Sequence, residues 1–166
     1  MIQILLPDQA LIYRSLRLEA LKRYPEHFGA GYEQQLSLDK LYFERIIEEQ
    51  SNQGVMFGAF EVEQLVGICG VTFETERQLN SGEIIQMYVK PEYQNQGFGA
   101  ELMNALLSTC KSASISALFL EVMPQNSQAI HLYRQMGFTQ ISNESAEGAP
   151  LVMSLTLQPE SQSQNA

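Results

Sequence analysis

Two hydrophobic periods alternate along the chain and place its elements. Ile2 to Leu6 is a short apolar run that predicts a strand. Pro7-Asp8 then opens a helix, with Asp8 as the expected N-cap. Leu11, Ile12, Leu16 and Ala20 recur at helical spacing until Tyr24-Pro25. A loop over 27–32 follows, and a second helix is expected from near Ser37 to about Gln50, with Leu41, Ile46 and Ile47 facing inward. The period then changes. Val55 to Val62 and Leu65 to Glu74 are rich in β-formers and split by Glu63-Gln64, which reads as a hairpin. Ile84 to Val89 is a third strand, closed by Pro91. Gly97 to Lys111 reads as helix with Leu102, Leu106 and Leu107 on one face, Leu118 to Val122 as strand, and Asn126 to Met136 as helix. Gly137 is the natural stop of that last helix. Phe138 to Ser142 and Leu151 to Leu157 complete the strands. Strands and helices mix without strict alternation, so the expected class is α+β with one largely antiparallel sheet. No internal linker or repeat interrupts residues 1–157, which form a single domain, and the polar tail 158–166 is expected to be disordered.

Composition narrows the function classes. The 166 residues carry a net charge of −9, with only ten Lys and Arg, and no basic cluster for phosphate contacts. Nucleic acid is thus an unsuitable partner. No apolar run reaches the ~18–20 residues of a membrane span, and the start MIQILLPDQA lacks a basic region and a cleavage site, so a cytoplasmic location is expected. Cys69 and Cys110 sit in apolar patterns and read as buried reduced thiols. With His27 and His131 as the only histidines, no metal-ligand set is expected.

The chemistry concentrates in 83–100. A strand ending at Met87-Tyr88-Val89 runs into a loop opened by Pro91, then Gln94-x-x-Gly97-x-Gly99, then a helix. Such a loop turns unpaired N–H groups and the positive end of the helix dipole toward one point, which suits an anion. Glycine there avoids a Cβ that would block the approach of a phosphate. A Walker loop would need Gly-Lys-Ser/Thr, which is absent, and Leu102 stands where a dinucleotide fingerprint needs its third glycine.

These residues resemble the GNAT superfamily of acetyl-CoA-dependent N-acyltransferases. The family pattern is Arg/Gln-x-x-Gly-x-Gly/Ala after a strand, matched by Gln94, Gly97 and Gly99. A second block follows in family order: the strand 118–122, then Asn126, Ala129, Tyr133 and Gly137-Phe138. The run from Arg14 and Arg17 to Pro25 and Phe28 is similar to small bacterial-type members, so the resemblance covers roughly residues 2 to 157. The departure is Gln94, where arginine is commoner and would pair with phosphate rather than only hydrogen-bond it.

The resemblance implies a mixed, largely antiparallel central sheet with helices on both faces, and acetyl-CoA as co-substrate without a metal. It implies that the strand ending at Val89 splays from the strand 118–122 and that pantetheine enters the gap, bonding main-chain groups of Met87 and Val89. The N–H groups of Gln96, Gly97, Phe98, Gly99 and Ala100 would hold the pyrophosphate. Asn126 would either bond the coenzyme or cap the helix behind it.

For the transfer itself, Tyr133 would protonate the leaving thiolate, and its other reading is a core aromatic. Val89 N–H would serve the carbonyl oxygen. Glu83 would take the amine proton, sharing a strand face with 85, 87 and 89; its other reading is a solvent-facing glutamate. Glu121 is a weaker alternative, and His131 is read as a surface residue facing elsewhere. Phe28 and Tyr32 would close the acceptor pocket, with the loop 143–150, carrying Glu144 and Glu147, at its other rim. The acceptor would be a primary amine of a small molecule or peptide, and the chain is compatible with a homodimer. The contrasting reading is a domain of the same fold that binds acyl-CoA as a sensor without turnover.

Overall fold

Strands rich in β-branched and aromatic residues supply a sheet that is apolar on both sides, and the amphipathic helices cover it from both. The computed structural model describes residues 1–28, 30–141 and 147–158. The strands are β1 (Ile2–Ile4), β2 (Gly54–Glu61), β3 (Gln64–Thr72), β4 (Ser81–Val89), β5 (Ala117–Val122), β6 (Thr139–Gln140) and β7 (Leu151–Thr156). They form one sheet in the order β1-β2-β3-β4-β5-β7-β6. Every neighbour pair is antiparallel except β4 with β5. The α+β expectation is therefore met.

The helices are α1 (Ala10–Arg23), α2 (Tyr32–Leu36), α3 (Tyr42–Glu49), α4 (Phe98–Ser112) and α5 (Ser127–Gln135). One core lies under α4 and α5, built from Leu102, Met103, Leu106, Ile130 and Tyr133 against Val66, Cys69 and Val71 of β3. The other lies under α1 and α3, where Tyr13, Leu16, Phe43 and Ile47 pack on Ile68 and Tyr88.

Three expectations are corrected. Asp8 does not cap α1. Pro7–Gln9 forms a 3₁₀ turn, whose entry is closed by Leu6 N–H donating to Gln9 Oε1 at 2.8 Å. The inner stripe of α1 is Ala10, Tyr13, Leu16, Arg17, Ala20 and Leu21, while Leu11 and Ile12 face solvent at 70% and 43% exposure. A Leu-Ile pair at adjacent positions can put only one turn-face inward, and the aromatic Tyr13 takes it. The second helix begins at Tyr42 rather than near Ser37, and a separate short α2 precedes it, starting at the last residue of the expected loop. Arg14 accounts for the break. Its guanidinium collects the carbonyls of Leu36, Leu38 and Asp39, at 3.3, 2.8 and 3.2 Å, and so holds that segment out of helix. Helix α3 then starts at Leu41, whose N–H donates to Glu44 Oε1 at 2.9 Å. The expected strand over 138–142 is seen as Thr139–Gln140, its last residue, Ser142, and all but one residue of the tail lying outside the described residues.

Candidate active site

The site is created by a sheet that stops pairing. Parallel pairing of β4 with β5 runs from Ser81↔Ala117 to Ile84↔Leu120 and goes no further. Just beyond, β4 carries a bulge. Against β3, Gly70↔Ile85 is followed by Ile68↔Tyr88, so one residue of β3 faces two of β4. Gln86 takes the strain, with φ +62°, and Tyr13 donates its hydroxyl to the Gln86 side chain.

The bulge resets which side chains share a face. Ile84, Met87 and Val89 pack toward α4 and α5, whereas Ile85 and Tyr88 pack toward α1 and α3. Glu83, an odd neighbour of Ile84, therefore lies on the side opposite Met87 and Val89. The shared face expected for 83, 85, 87 and 89 is overturned by that one extra residue.

Beyond the bulge, Lys90 N–H donates to Val66 O at 2.9 Å. By strand alternation the N–H and C=O of Val89 then point the other way, into the gap beside β5. Gln94 turns its amide back to donate to Val89 O at 3.0 Å, which fixes the loop rather than reaching for a ligand. Asn95 and Gly97 both take left-handed φ, +62° and +88°. That conformation favours glycine at 97, where a Cβ would point into open space.

Gly97 is the N-cap of α4, and no side chain caps the helix. Its first N–H groups thus face the cleft unspent. Helix α5 starts differently: Asn126 Oδ1 accepts from Ala129 N–H at 3.4 Å, the cap role. Gly99 needs a reason other than phosphate approach. It is helical, and an added Cβ would meet Leu132 Cδ2 of α5 at 3.3 Å, so it lets the two helices close together.

These elements surround one cleft of about 380 Å³. Met87, Val89, Gln94, Gly97, Phe98, Gly99, Ala100 and Asn126 line it, as expected from the sequence, and so does Phe28. Gln96 does not; its amide donates to Glu92 O at 3.3 Å. Tyr32 stands outside, under the Lys22 ammonium at 5.6 Å. His131, read as facing away, lines the cleft together with Gln128 and Gln135. Tyr24, His27, Tyr88 and Tyr93 also line it and were not foreseen; Tyr24 and His27 stack face to face, 5.2 Å between centroids. A cluster of four aromatics in 24–32 was the available signal.

Tyr133 lies beneath the floor formed by Ala129 and Leu132, 6% exposed, its ring edge-on to Phe138 at 6.1 Å. Burial, with the Cys69 thiol as a lesser cause, pushes its phenol above the ordinary tyrosine range, so it stays protonated near neutrality. Glu83 is half-buried and accepts from Thr75 at 3.3 Å. Arg77 bridges it to Glu121, at 3.6 and 2.7 Å, so the two candidate bases form one cluster on the face away from α4. Asn143 and Glu144 lie outside the described residues; Glu147 is exposed.

A family model, "Acetyltransferase (GNAT) family", matches residues 15–138. The chain belongs to that family. A [ribosomal protein bS18]-alanine N-acetyltransferase of Escherichia coli (strain K12) is 31% identical over 90 residues, 54% of this chain and 60% of the relative, so the match spans under two thirds of that protein. A spermidine N(1)-acetyltransferase of Thermoplasma acidophilum is 30% identical over 129 residues, 77% of this chain and 75% of the relative. Among solved structures, a GNAT-family acetyltransferase of Streptococcus pneumoniae superposes with TM-score 0.79 at 20% identity, covering 95% of this chain and 99% of that one. The PaiA N-acetyltransferase of Thermoplasma acidophilum, in complex with coenzyme A, gives 0.75 at 22% identity, with 95% and 99% coverage. At those identities the superpositions establish the fold, and the open β4–β5 gap is this chain's own version of it.

Proposed function

We propose that the protein is an N-acetyltransferase that moves an acetyl group from acetyl-CoA directly to a primary amine of a small molecule or peptide. The observation that carries this is the joining of the β4–β5 gap and the uncapped start of α4 in one cleft. An extended amide chain fits the gap, and a diphosphate fits the helix start. The relatives named as acetylating an alanine or spermidine, and the neighbour holding coenzyme A, support the same reading.

In this reading the thioester supplies an activated acetyl group. The chain's residues do the rest. Val89 C=O and the Met87 main chain orient the pantetheine arm. The N–H groups from Gly97 to Ala100 hold the diphosphate without a lysine. Val89 N–H meets the acetyl oxygen as negative charge builds on it. Glu83, with Glu121 beside it across Arg77, accepts the amine proton through water from the α1 side. In this reading Tyr133, which keeps its proton through neutral pH, returns one to the departing sulfur from under the Ala129 and Leu132 floor. Coenzyme and amine thus approach the gap from opposite faces of the sheet. The location in this reading is the cytoplasm.

The test is release of free thiol from acetyl-CoA with a panel of amino acids, polyamines, aminoglycosides and peptides bearing a free N-terminus. Turnover with at least one class is expected. Tight coenzyme binding with none turned over would overturn the enzymatic reading in favour of an acyl-CoA-binding module.

A further inference from the structure

Two charged side chains are buried under the α1 face, and they are treated differently. Glu44, 3% exposed, accepts at Oε1 from Arg14 Nη1 at 2.8 Å and from Leu41 N–H at 2.9 Å. Arg17, one turn along α1 from Arg14, is 6% exposed and makes neither an ion pair nor a hydrogen bond among the described residues; its Nη1 is buried without a partner. Among the described residues the guanidinium has the face of Phe28, 4.8 Å from the ring centroid, and the neighbouring Tyr13 phenol.

A guanidinium keeps its charge in proteins and presents five donors in a fixed fork. Burying it unpaired is costly, and an aromatic face offsets only part of that cost. An arginine kept for structure finds its acceptors in the fold, as Arg14 does with three carbonyls and Glu44. Among the described residues Arg17 has none, and its location says what it lacks. Phe28, which covers it, lines the cleft beside Tyr24, His27 and Tyr88, on the α1 side of the gap. Tyr13, the preceding turn of α1, is tied to Gln86 at the β4 bulge.

Resting on the acetyltransferase reading, we infer that Arg17 receives a carboxylate carried by the acceptor, so that the substrates are amines bearing their own acid group, free amino acids being the simplest class. A carboxylate entering beside Phe28 exchanges a π face for a two-point, charge-assisted pair. It also supplies a local attraction that a chain of net charge −9 otherwise withholds from an anion. Polyamines have nothing to offer this group.

The experiment compares α-amino acids with their carboxamides at saturating acetyl-CoA, with spermidine as a third arm. Each acid is expected to exceed its amide in kcat/KM by on the order of 30-fold or more, mainly through KM, as for loss of one partner of a buried charge pair. Arg17→Met should erase that difference and Arg17→Lys should keep part of it. The apo Tm of Arg17→Met should be no lower than wild type, because an unpaired buried charge has been removed; a structural arginine would move it down. Amides or spermidine matching the acids in the wild type, a measurement that needs no variant, would overturn the inference while leaving the acetyltransferase reading intact. If no amine is turned over, that reading fails instead. Thermal shifts of the coenzyme-saturated protein by acids against amides then decide: acid-selective shifts lost in Arg17→Met support the carboxylate site, and equal shifts refute it.

Discussion

The two sides of the β4–β5 gap are built in opposite ways. On the α4 side, the proposed coenzyme recognition rests on main-chain groups from one continuous stretch, Val89 to Ala100, and on a helix start that no described side chain caps. On the α1 side, the walls come from side chains far apart in sequence, Tyr24, His27 and Phe28 after α1 and Tyr88 on β4, with the Arg77 cluster of Glu83 and Glu121 on the same face of the sheet but outside the cleft lining. Main-chain recognition tolerates any side chain except where the backbone demands glycine, so it holds a ligand common to a whole family. Side-chain recognition changes with each loop and suits the part of the reaction that distinguishes one enzyme from another.

The largest effect should come from the floor of the cofactor side. Tyr133→Phe removes a hydroxyl that makes no hydrogen bond within the described residues and keeps the ring against Phe138. A positioned acid is worth about 10²–10⁴-fold. Thiols ionise near ~8.5, so the departing sulfur needs modest help and the lower end is expected. Because the folded phenol titrates above its unfolded value, its proton is retained as pH rises from neutral, and the wild-type kcat should show no loss from this group between pH 7 and about 10. KM for acetyl-CoA should barely change. A kcat within twofold of wild type would leave Tyr133 as a core aromatic and move the acid to water.

Next in size is the separation of two glycines that the motif treats alike. Gly97→Val forces φ +88° on a β-branched residue at the N-cap of α4, and relief of that strain shifts the loop that presents the first N–H groups to the cleft. Coenzyme at ~100 times its Kd should stabilise the wild type by roughly 2.7 kcal/mol. At about 2–4 °C per kcal/mol, that is a midpoint shift of several degrees, which this variant should lose. Gly99→Val should act on the apo protein instead, because its Cβ meets Leu132 at 3.3 Å and wedges α4 from α5. Identical behaviour of the two variants would mean that the loop and the helix contact are not separable.

The same contrast explains what could be read in advance. The strands, the hairpin and the Gln94 to Ala100 loop were legible because period-two runs and glycine spacing are local signals. The face assignment of Glu83 was not, because a bulge at Gln86 has no composition signature and shifts every later side chain by one. The break before α3 was missed because its cause, Arg14, lies 22 to 25 residues away. Helical spacing alone made Leu11 and Ile12 look like core, when Tyr13 and Arg17 hold the inner face. His131 was set aside by counting positions from Tyr133, yet the cleft follows the surface of α5 above Tyr133 rather than the buried stripe.

The smallest effect concerns Asn126, where the two sides of the comparison meet, since one residue both caps α5 and lines the cleft. Removing a cap side chain costs about 0.5–2 kcal/mol. The 3.4 Å reach to Ala129 N–H is long, so Asn126→Ala should sit near the lower end, a fall of a few degrees at most in apo Tm. Asn126→Ser offers a hydroxyl in the same place and should recover most of that loss, serine being nearly as good a cap. Coenzyme affinity supplies the second axis. If the Asn126 amide also donates to the coenzyme, both variants should raise KM for acetyl-CoA severalfold, because serine restores the cap without restoring the longer amide donor. If KM follows Tm, falling back to wild type in Asn126→Ser, the residue acts only by holding the start of α5, and the cofactor side is then a purely main-chain site.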